Sequence, residues 1–184
     1  MATAYYANYR NGHQGAIDRI GGLPSHLPES IPHCECTEPM AFICQIYFEG
    51  KDLSFVPVDL MGIQFYSCFQ CLIGDDQIVK ITKNAEPNHE GAGREWSERS
   101  LWRDITWTVK EDPEPTCDVE QFLDDKGNFL PSTEPLLENK MGGCFPVVDD
   151  GGTSAFELGI VAELSFDHTI YLTVNDDEWK FFRY

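Results

Sequence analysis

The sequence predicts a mainly β protein, α+β at most, built from antiparallel sheets with short helices. Runs rich in aromatic and β-branched residues recur along the 184-residue chain, and turn residues such as Gly50-Lys51-Asp52 and Asn175-Asp176-Asp177 separate neighbouring runs. A string of polar, basic, apolar, Gly and Gly occurs twice, each time ahead of an apolar strand region. The paired runs predict hairpins, and the repeated string predicts an internal duplication.

Local composition predicts each element in turn. Residues 24–39 contain four prolines, which exclude a helix, so this segment is expected to cross the surface as irregular chain. Residues 84–98 are polar and rich in glycine and charge, which predicts a loop. Strands are predicted over residues 40–49, 61–69, 77–82, 105–110, 156–164, 169–174 and 179–184, and a short helix over residues 117–123.

The repeated string also predicts the domain organisation. We expect a single domain over residues 1–184, with pseudo-repeats at 16–83 and 136–184 joined by a polar and acidic segment at 84–135. The string places Gly21 beside Gly22 and Gly142 beside Gly143. Paired glycines ahead of a strand allow positive φ and close backbone approach, so these four are predicted to be structural. Two unrelated turns would produce the same string, and the sequence leaves that alternative open.

The charge of the chain narrows its classes of partner. There are 31 acidic and 13 basic residues, which gives a net charge of −18. Such a protein repels nucleic acid and anionic membranes and favours a basic protein partner or simple solubility. The densest acidic cluster lies at residues 111–125. Such a cluster is usually only a solvated face, but it is also suited to bind a basic partner. Its predicted contact residues are Asp112, Glu114, Asp118, Glu120, Asp124 and Asp125, with Trp96 as an aromatic anchor.

The cysteines predict a metal site. Residues 1–15 lack an apolar stretch, so no secretory signal is visible, and seven cysteines in such a chain are expected to be reduced thiols in the cytoplasm. Two tight pairs, Cys34 with Cys36 and Cys68 with Cys71, lie on either side of a predicted hairpin. Two thiol pairs brought together suit a closed, structural zinc site. His33 is an alternative ligand in place of one thiol.

Other interpretations of these residues compete with zinc. The four thiols are small buried hydrophobes in the simplest alternative, and Cys68-x-x-Cys71 resembles a redox motif but ends a strand. A thiol protease would pair Cys44 or Cys144 with His168, which the spacing does not support, and the role of Cys117 is left open. Gln45 interrupts an apolar strand, where a buried amide is expected to satisfy an irregular loop such as the Gly-Gly turn.

Three short motifs occur in this order: Ile20-Gly21-Gly22-Leu23-Pro24, then Pro39-Met40-Ala41-Phe42-Ile43-Cys44-Gln45-Ile46, then Lys140-Met141-Gly142-Gly143 with Pro146. Together they resemble the YwqG-like family. The resemblance spans residues 18–184 and implies a mainly β protein with an internal duplication and no established reaction. Members resemble binding proteins, and some lie beside toxin genes as immunity proteins. The chain departs from the family pattern at Ile31-Pro32, where Trp-Pro is common, and at Val148-Asp149-Asp150, where Gln is common.

The first Gly-Gly motif, the Cys34/Cys36 pair and residues 42–45 are also similar to the cysteine-bearing, ribosome-associated adaptor family called programmed cell death 2. The sequence therefore predicts a non-enzymatic, cytoplasmic binding protein of the immunity type, which neutralises a toxin through its acidic surface. The alternative is a zinc-stabilised adaptor or chaperone for a basic client such as a ribosomal protein. An enzyme with a thiol nucleophile is a third and weaker hypothesis.

Overall fold

The computed structural model describes residues 1–11, 17–71, 76–89, 91–92, 102–114, 118–128, 130–131, 139–145, 160–165, 169–175 and 178–183. It is mainly antiparallel β, which confirms the predicted fold class. A short 3₁₀-helix, Val119–Phe122, lies where the helix over 117–123 was predicted. None of the described helical structure is long and apolar enough to cross a membrane.

The strands are β1 (Ala2–Asn11), β2 (Arg19–Ile20), β3 (His26–Leu27), β4 (Ala41–Tyr47), β5 (Leu60–Ser67), β6 (Asp76–Thr82), β7 (Glu86–Pro87), β8 (Arg103–Asp112), β9 (Lys140–Gly142), β10 (Ile160–Ser165), β11 (Thr169–Asn175) and β12 (Glu178–Arg183). The chain divides into two compact units. We call Asn8–Thr106 the central unit, and Met1–Ala7 with Trp107–Tyr184 the terminal unit. Strands β1 and β8 each have one end in either unit.

The central unit carries the strand order β8-β2-β4-β5-β6, with antiparallel pairing throughout. Strands β3 and β7 form a separate two-stranded sheet. Nearly every residue of β4 and β5 is buried, because both faces of these apolar runs are covered. Gly62 is required where the two strands meet, since a Cβ there would lie 2.5 Å from the carbonyl oxygen of Ile46.

The terminal unit repeats this order of strands as β1-β9-β10-β11-β12. In each unit a ten-residue strand pairs with a short strand that leads into Gly-Gly, and three further strands follow in chain order. All four glycines of the two strings have φ between 70° and 73°, a region that residues with a Cβ rarely adopt. The predicted pseudo-repeats at 16–83 and 136–184 contain the last four strands of each order, whereas β1 and β8 lie outside them.

Candidate metal centre

The first cysteine turn, residues 34–37, closes a tight hairpin within the proline-rich segment. The backbone N–H of Cys34 donates to the carbonyl of Glu38 over 3.0 Å, and that of Thr37 donates to the carbonyl of Cys34 over 2.8 Å. Thr37 has φ 71°, the left-handed conformation that such a turn requires of its last residue and that glycine adopts most easily. This reversal directs the side chains of Cys34 and Cys36 to one place.

The second cysteine turn, residues 68–71, follows directly after β5. The backbone N–H groups of Gln70 and Cys71 donate to the sulfur of Cys68. These hydrogen bonds, the one from Gln70 having the larger effect, lower the pKa of this thiol to about 7. Hydrogen bonds with the neighbouring sulfurs, that of Cys34 first, raise the pKa of Cys71. The Cys68 thiol therefore ionises more easily than an ordinary cysteine, whereas Cys71 ionises less easily beside the other sulfurs. A bound cation would offset the repulsion between several thiolates and favour their ionisation.

The four sulfurs converge, as predicted. The Sγ atoms of Cys34 and Cys71 lie 3.5 Å apart, and those of Cys36 and Cys68 lie 3.7 Å apart. All four Sγ atoms lie within 4.8 Å of one another. A tetrahedron with metal–sulfur bonds of about 2.3 Å has edges of about 3.8 Å, so the spacing is compatible with a metal site. A disulfide would bring two sulfurs to about 2.05 Å, and these cysteines are free thiols.

The sulfur cluster is continuous with the core of the central unit. Cys34 and Cys68 are buried and pack in one group with Met40, Phe42 and Tyr66. The rings of Phe42 and Tyr66 meet edge to face, with centroids 5.8 Å apart. Cys71 is partly exposed and Cys36 is exposed, so one side of the cluster faces solvent. An ion held here would tie the proline-rich hairpin to the end of β5, which is a structural task.

Among the described residues, the other candidates His33, Cys44 and Cys144 are not part of this cluster. His33 is exposed, and its Nδ1 lies 2.8 Å from the carbonyl oxygen of Ile31. Cys44 is completely buried in β4, and burial raises the pKa of its thiol, which disfavours a nucleophilic role. Cys144 is buried in the terminal unit, beside Phe122. Trp96, Cys117 and His168 lie outside the described residues.

The acidic cluster is only partly a surface. Asp112 is 1% exposed, its Oδ1 accepts a hydrogen bond from the Tyr6 hydroxyl over 2.6 Å, and its Oδ2 pairs with the ammonium of Lys140. The expectation that Asp112 contacts a partner is therefore wrong, because burial and internal bonds occupy its carboxylate. The exposed members are Glu114, Asp118, Glu120, Asp124 and Asp125.

Asp124 shapes the turn in which it lies. Its Oδ1 accepts the backbone N–H groups of Lys126, over 2.8 Å, and of Asn128, over 2.9 Å. The bond from the Asn128 backbone, with those from the Asn128 side chain and the Lys126 backbone, lowers the pKa of this carboxyl. Its charge is therefore used within the turn as well as displayed on the surface.

Gln45 joins the chain on either side of the first Gly-Gly turn. It is completely buried, its Oε1 accepts the backbone N–H of Ser25 over 2.9 Å, and its Nε2 donates to the carbonyl of Ile17 over 2.5 Å. The amide thereby supplies partners to backbone groups that flank residues 21–22. Its position explains a polar residue in an otherwise apolar strand.

Sequence reasoning missed two buried ion pairs. Lys140 Nζ is fully buried and contacts Asp112 and the Cys144 carbonyl in the terminal unit. In the central unit Lys51 Nζ lies 2.9 Å from Asp18 Oδ2. Asp18 and Lys140 both stand within the repeated Gly-Gly strings, Asp18 at the polar and Lys140 at the basic position, and the repeat was the only local signal.

Comparison with known proteins leaves the family open. The sequence matches no protein-family model, and a search of curated proteins finds no match either. The resemblances to the YwqG-like and programmed cell death 2 families therefore stay predictions, and the site must be interpreted from its own geometry.

Proposed function

We propose that Cys34, Cys36, Cys68 and Cys71 bind one structural zinc ion in a non-enzymatic, cytoplasmic binding protein whose acidic surface neutralises a basic toxin. The observation that carries the metal centre is the convergence of four sulfurs within 4.8 Å. The observation that supports a basic partner is the net charge of −18 together with the exposed carboxylates of the acidic cluster.

Zinc is the metal that this donor set suits best. Four thiolates in a tetrahedron favour zinc or iron, and a closed set of protein ligands leaves no position for a substrate. Two of the sulfurs are packed into the core of the central unit, which is typical of a centre that stabilises a fold. A reducing compartment such as the cytoplasm would keep all four as thiols.

The acidic surface would act mainly on the rate of association. Glu114, Asp118, Glu120 and Asp125 are exposed, and an excess of exposed negative charge steers a basic partner towards the protein. Occlusion of a toxin's basic cleft by such a surface requires no chemistry from this protein. Trp96, outside the described residues, remains the predicted aromatic anchor.

Metal content is the first test. Protein purified without added metal under reducing conditions should contain one zinc per chain by inductively coupled plasma mass spectrometry. Replacement by cobalt should give the absorption of a tetrahedral Co²⁺–thiolate centre. Substoichiometric metal, or iron in place of zinc, would overturn the zinc assignment.

The partner test uses charge reversal with a matched control. Protein captured from the native host should bring down a basic partner, and reversing Asp118, Glu120 and Asp125 together should slow association at low salt. A control that reverses the exposed residues Glu29, Glu49 and Asp59 makes the same change in net charge elsewhere. Equal effects of the two variants would reject the acidic cluster as the contact surface.

The captured partner also separates the two functional hypotheses. A toxin should lose its activity when this protein is added in stoichiometric amount, and its gene should lie beside the gene for this chain. A basic client such as a ribosomal protein would instead be kept soluble without loss of an activity. That outcome would replace toxin neutralisation by an adaptor role.

A further inference from the structure

We infer that the sulfur cluster is a site of oxidative modification, in which a peroxide converts the thiols into two disulfides, Cys34–Cys71 and Cys36–Cys68, each joining the two cysteine turns. The release of metal in this reaction rests on the proposed zinc centre. The pairing of the sulfurs rests on their positions alone.

The distances favour this connectivity. Four cysteines allow three ways of forming two disulfides. The contacts at 3.5 Å and 3.7 Å both run between the cysteine turns, from Cys34 to Cys71 and from Cys36 to Cys68. Closing the first pair to a bond requires an approach of about 1.5 Å shared between two side chains. A bond between Cys34 and Cys36 would instead have to close across a single intervening residue.

Exposure disfavours the third connectivity, which would join Cys34 with Cys68 and Cys36 with Cys71. Cys36 is exposed and Cys71 is partly exposed, whereas Cys34 and Cys68 are buried. Each inferred pair therefore combines a sulfur that an oxidant in solution can reach with a sulfur that it cannot. The reachable member is oxidised first, and its buried neighbour stays reduced and close enough to resolve the product.

The reaction balances with hydrogen peroxide as the oxidant. The sulfur of Cys36 attacks one peroxide oxygen, the O–O bond breaks, and the leaving oxygen departs as water, which yields a sulfenic acid. The sulfur of Cys68 then attacks the sulfenic sulfur, the S–O bond breaks, and a second water leaves. Two protons come from the thiols, or from solvent if the sulfurs begin as thiolates. Cys71 and Cys34 follow the same course with a second peroxide.

As a consequence, two disulfides replace the metal ion as the cross-link, and the two cysteine turns stay connected. A zinc ion that loses its four thiolates dissociates, while the two disulfides hold the same cysteine turns together. The oxidised protein should therefore stay folded without metal and should no longer respond to a chelator. A strong reductant should reverse the change.

The first experiment treats the zinc-loaded chain with hydrogen peroxide. We expect release of zinc to a chromophoric chelator, an intact mass lower by about 4 Da than that of the reduced protein, and a monomeric band on a non-reducing gel. Tandem mass spectrometry of unreduced peptides should link 34 with 71 and 36 with 68. Disulfides within each cysteine turn, the pairing of 34 with 68, or sulfinic acids in place of disulfides would overturn the inference.

Double variants test the pairing without any metal. Cys36→Ser with Cys68→Ser leaves Cys34 and Cys71, which should form one disulfide under peroxide. Cys36→Ser with Cys71→Ser leaves two buried sulfurs, Cys34 and Cys68, and should react at least about tenfold more slowly. Equal rates would contradict the inferred pairs.

The two proposals fail separately. A protein that contains no zinc but forms these disulfides removes the metal centre and leaves the oxidative site. A zinc protein whose thiols resist peroxide, or that forms another pattern, removes the oxidative site and leaves the metal centre.

Discussion

Replacing Cys36 by serine distinguishes a metal ligand from a thiol that merely fills space. The side chain is exposed, so serine leaves no cavity in the core. An exposed substitution without a special role changes the free energy of unfolding by no more than about 0.5 kcal/mol. A ligand to a structural metal should cost several times more, because the three remaining thiolates hold the ion less tightly and the metal then contributes less to folding.

The size of the expected effect follows from the chain that the metal encloses. A cross-link between Cys36 and Cys68 closes a loop of roughly 30 residues, and constraining such a loop in the unfolded state contributes about 4 kcal/mol. We therefore expect Cys36→Ser to lower the free energy of unfolding by up to about 4 kcal/mol when zinc is present, the full value applying if the three remaining thiolates release the ion. The corresponding fall in Tm is on the order of 10 °C.

The assay is thermal and urea unfolding of both proteins under reducing conditions, with zinc and with a strong chelator. Wild type and variant should differ with zinc and converge when the chelator is present. Glu35→Ser is the matched control, since Glu35 is exposed in the same turn and has no sulfur. A Cys36→Ser protein as stable as wild type in zinc, or a wild type indifferent to the chelator, would refute the reasoning.

Three further predictions concern single contacts. Lys140→Met should cost about 3–5 kcal/mol in urea unfolding because it leaves the Asp112 carboxylate buried without its cation, and adding Asp112→Asn should recover part of that loss; additive losses would contradict coupling of the pair. Thr37→Gly should raise stability by about 0.5–1 kcal/mol, since glycine adopts its positive φ without strain, whereas Thr37→Ser should bring no gain. Hydrogen bonds lower the pKa of Asp124 in the folded protein, so its contribution is present at neutral pH and is lost as pH falls through that pKa. The difference in Tm between wild type and Asp124→Ala should therefore shrink on acidification, and a difference that stays constant from neutral to acidic pH would show that the turn does not depend on the ionised carboxyl.

The strands that sequence predicted well are those whose composition alone decides their structure. Strands β4 and β5 are buried on both faces and are rich in aromatic and branched residues, so their bounds agree with the predictions to within about two residues. Strand β1 was missed because its polar aromatic sequence lacks a clean alternation. Only three of its residues, Ala4 to Tyr6, are buried, and they pair with β9 from far along the chain.

The residues of the candidate sites also differ in how far the sequence alone could predict them. The thiol pairs could be predicted because each lies in a short turn and the hairpin between them is strongly marked in the sequence. Asp112 was misplaced because its neighbours are acidic and exposed, while the cation that buries it, Lys140, comes 28 positions later. Local composition carries no information about a pairing of that kind, which tertiary packing decides.

The repeated strand order places an internal reference inside the molecule. The four converging thiols belong to the central unit, while the terminal unit has the same succession of strands, and each unit has a buried ion pair at its Gly-Gly string. Removal of the metal should consequently change amide exchange in the strands of the central unit and leave exchange in the corresponding strands of the terminal unit unchanged. Strand β5 leads into the second cysteine turn, and β11 holds the corresponding place in the strand order of the terminal unit. Amide exchange measured along both strands in one sample would therefore use β11 as an internal control for β5.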